Sequence, residues 1–255
     1  MKISIIIAVY NGGKTLQTCI DSISAQTYKN TELVIMDGGS NDSTVAVLEK
    51  NSELIDFWET KKDRGIAHAW NKALKRITGK WIIFLGADDY LYDKNVLSDA
   101  VIFLNNSNAY DVVYGQIVFE GGQYNGQAFG NICNLKQLKR KMILPHTSAF
   151  HSINLFNETA GFDESFKIAM DYDLLLRKKN LSVRFLDRRI AVMGGEGISS
   201  KMIFQTLREF RVAQIKSRVT WRVEIEAWHA YYNFRHLLKV TLTEVKIWKH
   251  IFKKI

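Results

Sequence analysis

Two rhythms alternate along the first hundred residues. Short unbroken apolar runs, the pattern of strands covered on both faces, recur at residues 3–9 (ISIIIAV), 31–37 (TELVIMD), 55–60 (IDFWET) and 80–86 (KWIIFLG). Between them apolar positions fall three and four apart. Leu16, Cys19, Ile20 and Ile23 form one such set, a second stretch spans 45–50, and a third covers 66–77 with Ala67, Trp70, Ala73, Leu74 and Ile77 on one face. That spacing predicts helices. The resulting βαβαβαβ order predicts an α/β fold, with a mostly parallel, Rossmann-like sheet flanked by helices.

Beyond residue 100 the pattern changes. Residues 111–122 read as a strand ending in a turn. Pro145, the only proline, belongs to a loop leading into another strand. Residues 154–180 are largely helical with breaks near Gly161, and 183–193 (VRFLDRRIAVM) form a strand pair or one bent strand. GGEGISS at 194–200 is a loop, and from Ile203 the pattern is mainly helical. No internal repeat or low-complexity linker interrupts the chain. The expected organisation is one domain over residues 1–200 and a helical appendage over 201–255.

Charge sharpens that division. The chain carries 35 Lys and Arg against 26 Asp and Glu, a net +9, but residues 201–255 alone hold twelve basic and four acidic side chains. A near-neutral domain thus carries a basic appendage suited to an anionic partner. Trp221, Trp228 and Trp248 lie there with Tyr231, Tyr232 and Phe234. Aromatic residues interleaved with Lys and Arg suit a helix at a membrane interface. Leu242, Val245, Trp248 and Phe252 share one helical face, flanked by Lys246, Lys253 and Lys254, which anionic lipid would attract. A helix packed on the main domain and a dimer contact are the alternatives. No nucleic-acid-binding motif accompanies the basic residues. The N-terminal apolar run is short, β-branched and ends in a turn, so it reads as a first strand rather than a signal peptide. No uninterrupted apolar segment reaches the ~18 residues needed to span a bilayer. The expected location is the cytoplasm, with peripheral attachment to the inner face of the membrane. The two cysteines, Cys19 and Cys133, make no metal spacing and no disulfide framework; Cys19 reads as a buried thiol.

Open sheets of this kind bind ligands beyond the carboxyl ends of their strands, where the polar loops YNGG, DGGSNDS and GADD all fall. The first lacks both Gly-x-x-x-x-Gly-Lys-Ser/Thr and Gly-x-Gly-x-x-Gly, which disfavours an ATPase or a nicotinamide enzyme. Tyr10 either offers its ring to a planar base or packs on a helix. Asp37 either accepts a hydrogen bond from a base or sugar, or caps the next helix. Asp63 and Arg64 precede a helix: Asp63 is a cap candidate, Arg64 a diphosphate ligand candidate, and the alternative is a solvated charged turn.

Asp88 and Asp89 present a sharper problem. Adjacent carboxylates after a buried strand raise one another's pKa unless a cation neutralises them. Mg²⁺ or Mn²⁺ suits a site of one or two carboxylates completed by substrate phosphate oxygens, and offsets charge developing on a diphosphate leaving group. The competing reading is a helix start, with either Asp as N-cap. A second acidic cluster, AMDYDLLLR at 169–177, holds Asp171 and Asp173. Two apart on a helix, they point in different directions, so only one faces a site. A carboxylate held apart from the first pair is what a general base requires. His146 and His151 in LPHTSAFH are either site-facing or structural.

The ordered set ISIIIAVYNGG, VIMDGGSNDST, DRGIAHAWNKAL, GKWIIFLGADDYL and GFDESFKIAMDYDLLLR resembles the family 2 glycosyltransferases of GT-A fold, across residues 1–200. ISSKMIFQTLREFR resembles the segment that follows in bacterial members building surface polysaccharides. The resemblance implies a catalytic domain over 1–200 that binds a nucleotide-sugar donor, commonly a UDP-sugar. It implies that Tyr10 stacks on the base, that the Ala8, Val9 and Tyr10 backbone contacts it, and that Asp37 hydrogen-bonds it. Asp88 would meet the ribose or metal, and Asp89 would ligate the Mn²⁺ or Mg²⁺ that bridges the diphosphate. Asp171 would deprotonate the acceptor hydroxyl, and His146 falls on the acceptor side. The implied activity is inverting transfer of a hexosyl or N-acetylhexosaminyl unit to a lipid-linked or growing glycan in surface-polysaccharide synthesis. A non-catalytic nucleotide-sugar-binding or scaffold protein of the same fold is the alternative. Three departures stand out. Gly86 occupies a place where many relatives carry an acidic residue or Asn. Met170 replaces the Glu or polar residue that often precedes the base. The Gln-x-x-Arg-Trp motif of processive members is reduced to a loose echo in QTLREF at 205–210, so one sugar per acceptor is expected.

Overall fold

The computed structural model describes residues 1–107, 109–194 and 201–252, with side chains through residue 238 except Gln123. Nine strands make one sheet in the order β3-β2-β1-β4-β8-β6-β9-β5, with β7 beside β6. The strands are β1 (Ile3–Val9), β2 (Thr31–Asp37), β3 (Phe57–Thr60), β4 (Trp81–Gly86), β5 (Tyr90–Leu91), β6 (Val112–Glu120), β7 (Ala128–Phe129), β8 (Ala149–Ser152) and β9 (Val183–Gly194). The helices are α1 (Leu16–Ser24), α2 (Thr44–Lys50), α3 (Ile66–Leu74), α4 (Val96–Leu104), α5 (Ile153–Thr159), α6 (Met170–Arg177), α7 (Ile203–Lys216) and α8 (Arg222–Phe252).

The first four strands are parallel, as the apolar runs predict. Their residues alternate between two cores because strand side chains have period two. Ile3, Ile5 and Ile7 join Leu16, Cys19 and Ile20 on one face, while Ile6 joins Val34, Trp70 and Phe84 on the other. Cys19 is the expected buried thiol. Register does the functional work. Val9 lies opposite Asp37, Asp37 opposite Thr60, and Ala8 opposite Gly86, so the carboxyl ends of four strands finish level.

Past β4 the sheet becomes mixed. β8 runs antiparallel to both β4 and β6, and β6 is parallel to β9. The 183–193 segment is one long bent strand whose register shifts near Gln116. The bend carries its far end to β5, with Tyr90 opposite Val192. The β9 terminus thus closes over the end of β4. Among the described residues no helix is long and apolar enough to cross a membrane. The face of Leu242, Val245, Trp248 and Phe252, and the loop at 195–200, lie outside the residues described to side-chain level.

Candidate active site

The first two loops are stitched together by short side chains. The Asn11 amide donates to Ser40 Oγ at 2.7 Å, Gly12 to Thr44 Oγ1 at 3.0 Å and Gly13 to Asp42 Oδ2 at 3.0 Å. A Cβ on Gly13 would fall 2.2 Å from Ser43 Oγ, so glycine permits the close approach. Tyr10 stands 65% exposed on this platform, its ring beside Gly38. It does not pack on a helix, and its face is open for stacking. Ala8 is half-buried and Val9 is buried, with the Val9 carbonyl accepting from the Gly38 amide at 2.8 Å.

Asp37 is wholly buried. Its carboxylate accepts from the Ser40 amide at 3.1 Å and from the hydroxyls of Ser40 and Thr60. It holds a turn and does not cap α2, whose N-cap is Ser43. Asp63 does not cap α3 either. Gly65 takes that place with φ +137°, a backbone angle L side chains rarely adopt. Asp63 Oδ1 instead meets His68 Nδ1 at 2.8 Å and Lys72 Nζ at 2.9 Å, while its buried Oδ2 has no partner. Arg64, still 69% exposed, reaches Glu164 at 2.5 Å. The pair links this loop to the segment ahead of α6, so the exposed charged turn is anchored by Asp63 and Glu164.

Asp88 and Asp89 occupy the turn between β4 and β5. A strand follows them, and α4 starts only at Val96, so neither is a helix cap. Asp88 is exposed, while Asp89 is only 6% exposed. Asp89 Oδ2 accepts from the Gly86 amide at 2.9 Å and the Thr147 hydroxyl at 3.4 Å. Burial first, and the Asp88 charge second, push its carboxyl up to about 6. A Cβ at position 86 would stand 2.8 Å from an oxygen of each carboxylate, and one on Gly194 would lie 3.2 Å from Asp88 Oδ2. Two glycines from different strands therefore leave room around the pair.

Asp171 opens α6. Its Oδ1 accepts from the next amide, Tyr172 N, at 2.7 Å, and it has no cationic partner among the described residues. Desolvation raises its carboxyl to about 6. Asp173 is wholly buried and bound to Arg177 at 2.7 Å; Arg177 also donates to the carbonyls of Thr159 and Gly161. Asp173 is thus the structural member of the two. Just before α6, Glu209 of α7 collects three successive amides through one oxygen, Lys167 at 3.1 Å, Ile168 at 2.9 Å and Ala169 at 2.9 Å. His146 lies between Trp70 and Phe84, with ring centroids 4.9 and 5.4 Å away, and neither nitrogen has a hydrogen-bond partner. Burial lowers its pKa to about 4, so the ring is neutral. His151, 5.1 Å from it, is buried likewise. His146 makes no hydrogen bond, whereas only Nδ1 of His151 is unpartnered.

Asp42, Thr60, Thr147 and Glu209 complete the arrangement without having been singled out by the sequence. Thr60 was legible only as the end of a strand, Asp42 only as part of the polar loop DGGSNDS, and Glu209 as part of QTLREF. Thr147 carried no signal.

The donor set fits a divalent cation as one or two carboxylates would. Asp88 and Asp89 offer the hard carboxylate oxygens that such an ion prefers, and burial, then the Asp88 charge, raises the Asp89 carboxyl. No group of three or more His, Cys, Asp or Glu among the described residues could hold an ion unaided, so further ligands would come from a substrate.

Residues 4–160 match the family model described as Glycosyl transferase family 2. A PGL/p-HBAD biosynthesis glycosyltransferase of Mycobacterium bovis is 31% identical over 179 residues, 68% of each chain. TarS from S. aureus superposes with TM-score 0.68 at 20% identity, over 92% of this chain and 43% of that one. Its 1–349 form in complex with UDP-GlcNAc gives TM-score 0.67 at 19% identity, over 92% and 72%. The mannosyltransferase PcManGT from Pyrobaculum calidifontis, in complex with GDP-Man and Mn²⁺, gives 0.64 at 16% identity, over 89% and 69%. These likenesses establish the fold as that of GT-A enzymes.

Proposed function

The chain belongs to the family 2 glycosyltransferases, and from that membership we propose that it moves one sugar from a UDP-sugar to a hydroxyl of a lipid-linked or growing surface glycan, with inversion. The observation that carries the reading is Asp171. It is a carboxylate without a cationic partner, raised to about 6, on a different element from the Asp88–Asp89 pair. The acceptor oxygen attacks the anomeric carbon as its proton passes to Asp171. The bond to the diphosphate breaks with both electrons leaving on oxygen, and UDP departs. One base suffices because the leaving group needs no proton, unlike glycoside hydrolysis.

The donor side follows from the edge chemistry. The exposed Tyr10 ring stacks on the base, supported by the Ala8–Val9 backbone, and Asp37 accepts from a base N–H with the lone pairs that Ser40 and Thr60 leave. Asp63 and Arg64 flank the diphosphate. Asp89 would hold Mn²⁺ or Mg²⁺, with Asp88 at the ribose side, and the ion would supply charge neutralisation for the diphosphate. The UDP-GlcNAc bound by TarS and the Mn²⁺ bound by PcManGT support both parts. His146 enters only through its chain neighbour Thr147, which meets Asp89. The domain of residues 1–200, with α7 packed on it, carries this chemistry. The basic region after it brings the enzyme to the inner face of the cytoplasmic membrane.

A panel of UDP- and GDP-sugars with lipid-linked acceptors, read by nucleotide release, tests the assignment. One UDP-sugar should turn over with Mn²⁺ or Mg²⁺, and EDTA should abolish release until metal is restored. Turnover of a GDP-sugar alone would replace the donor, and full activity in EDTA would remove the metal.

A further inference from the structure

A second concavity is formed in part by the segment that leads into Asp171. It is a groove of about 590 Å³ between the segment ahead of α6 and the outer side of α7. Phe166, Lys167, Phe204, Arg208 and Val212 line it, with Glu209 among them. Phe204 and Val212 remain 48% and 37% exposed and give the groove an apolar wall. Lys167 and Arg208 are exposed and neither forms an ion pair among the described residues. Glu209, in the same lining, is held ionised by its hydrogen bonds, so the groove carries two cations and one carboxylate, a net +1. One Glu209 oxygen serves the amides of 167–169 and the other accepts from Gln205 at 3.0 Å. The groove therefore combines two exposed cations, in net positive surroundings because the Glu209 carboxylate is turned to backbone amides, with an apolar wall, the complement of a molecule with an anionic head and a hydrocarbon body.

Its position identifies that molecule's role. Lys167 is four residues before Asp171, so their Cα atoms are at most about 14 Å apart even on an extended chain. The backbone between them is pinned by Glu209. The apolar wall continues outward, where Phe204 packs edge-on against His236 of α8 with ring centroids 5.1 Å apart. Tyr231, Phe234 and Leu238 on the same helix are also exposed.

We propose that this groove binds the lipid phosphate of the acceptor. The phosphate lies against Lys167 and Arg208, and the first part of the chain lies over Phe204 and Val212. The sugar to be extended then reaches toward Asp171. This rests on the glycosyltransferase reading and adds to it where the acceptor is gripped. A guanidinium pairs with phosphate through two parallel N–H···O bonds, so Arg208 is the dominant contact.

Dodecyl phosphate, titrated calorimetrically below its micelle concentration, is the probe, with inorganic phosphate and dodecyl maltoside as its charged and apolar halves. The intact protein should bind dodecyl phosphate at least tenfold more tightly than either. Arg208→Ala, Lys167→Ala and Phe204→Ser should each weaken binding several-fold, and the first two together more than tenfold. All are surface changes and should leave UDP affinity unchanged, which also certifies folding. Equal affinity for dodecyl phosphate and dodecyl maltoside, or variants that bind as the parent does, would overturn the groove while leaving the glycosyltransferase reading intact. Failure of the parent to bind UDP would instead count against that reading.

Discussion

Asp171 and Asp173 share one helical turn and have opposite fates. Asp173 is sealed against Arg177, whereas Asp171 has no cation and a carboxyl raised to about 6. The sequence contained the discriminating sign, because Arg177 stands four residues after Asp173 and i,i+4 partners meet on a helix. It did not contain the desolvation that raises Asp171, which depends on elements distant in the chain. A base must be ionised to accept a proton. Turnover should therefore rise with pH through about 6 and level off above it, falling tenfold per unit below. Asp171→Asn should lower kcat by about 10²–10⁴, the usual contribution of a general base, with UDP affinity retained. Near-normal turnover in that variant, with the same acid limb, would exclude Asp171. Asp173→Asn should instead lower the melting temperature, because breaking a buried pair costs about 3–5 kcal/mol. Gly86 illustrates the same point from the other side. Read alone it is a lost ligand; in the fold its missing side chain admits both carboxylates and its amide holds Asp89.

At the scale of elements, the parallel strands and their helices were legible because each announces itself by a local period. The two-residue strand β5 was not, being too short to show one. Asp88 and Asp89 consequently looked like helix caps as readily as ligands. Nor did any pattern reveal that β9 bends to reach β5, since that pairing joins residues about a hundred positions apart. The same is true of Glu209. Nothing in QTLREF says that a carboxylate on α7 collects the amides leading into α6. If Asp171 is the base, as proposed, that contact makes Glu209 a positioning residue for it. Glu209→Ala leaves three amide donors without their acceptor and should cut kcat by about tenfold, by loosening Asp171 by a fraction of an ångström, while the donor KM stays within about twofold. Glu209→Gln, whose amide oxygen still accepts, should recover most of the loss. If kcat and KM fall together, or Gln fails where Ala fails, the contact serves general stability instead.

Across the whole molecule, charge and packing divide the C-terminal region differently. Its first helix is part of the main body. Ala213 of α7 is wholly buried, and Gln214 donates to the Lys139 and Arg140 carbonyls and to the Tyr172 hydroxyl, each at 3.1 Å. The alternative of a helix packed on the domain therefore holds for α7. α8 begins with contacts of its own, Ile225 buried and Arg211 paired with Glu226 at 2.5 Å. Further along, Tyr231, Phe234, Leu237 and Leu238 are 45–60% exposed, and Lys239, Lys246, Lys249, Lys253 and Lys254 follow in sequence. Exposed apolar residues followed by lysines suit the interface of an anionic bilayer, where each basic residue near the surface adds about 1 kcal/mol. The protein should sediment with vesicles containing phosphatidylglycerol and not with pure phosphatidylcholine. Raising salt to 1 M shortens the screening length to about 3 Å and should release most of it, because the lysine contribution is Coulombic while the buried apolar area alone is modest. Phe234→Ser should weaken binding at every salt concentration without changing the slope of the salt dependence, since it removes area and no charge. Binding indifferent to lipid charge would refute the electrostatic part, and no binding to either vesicle would leave α8 as a helix for another copy of the chain.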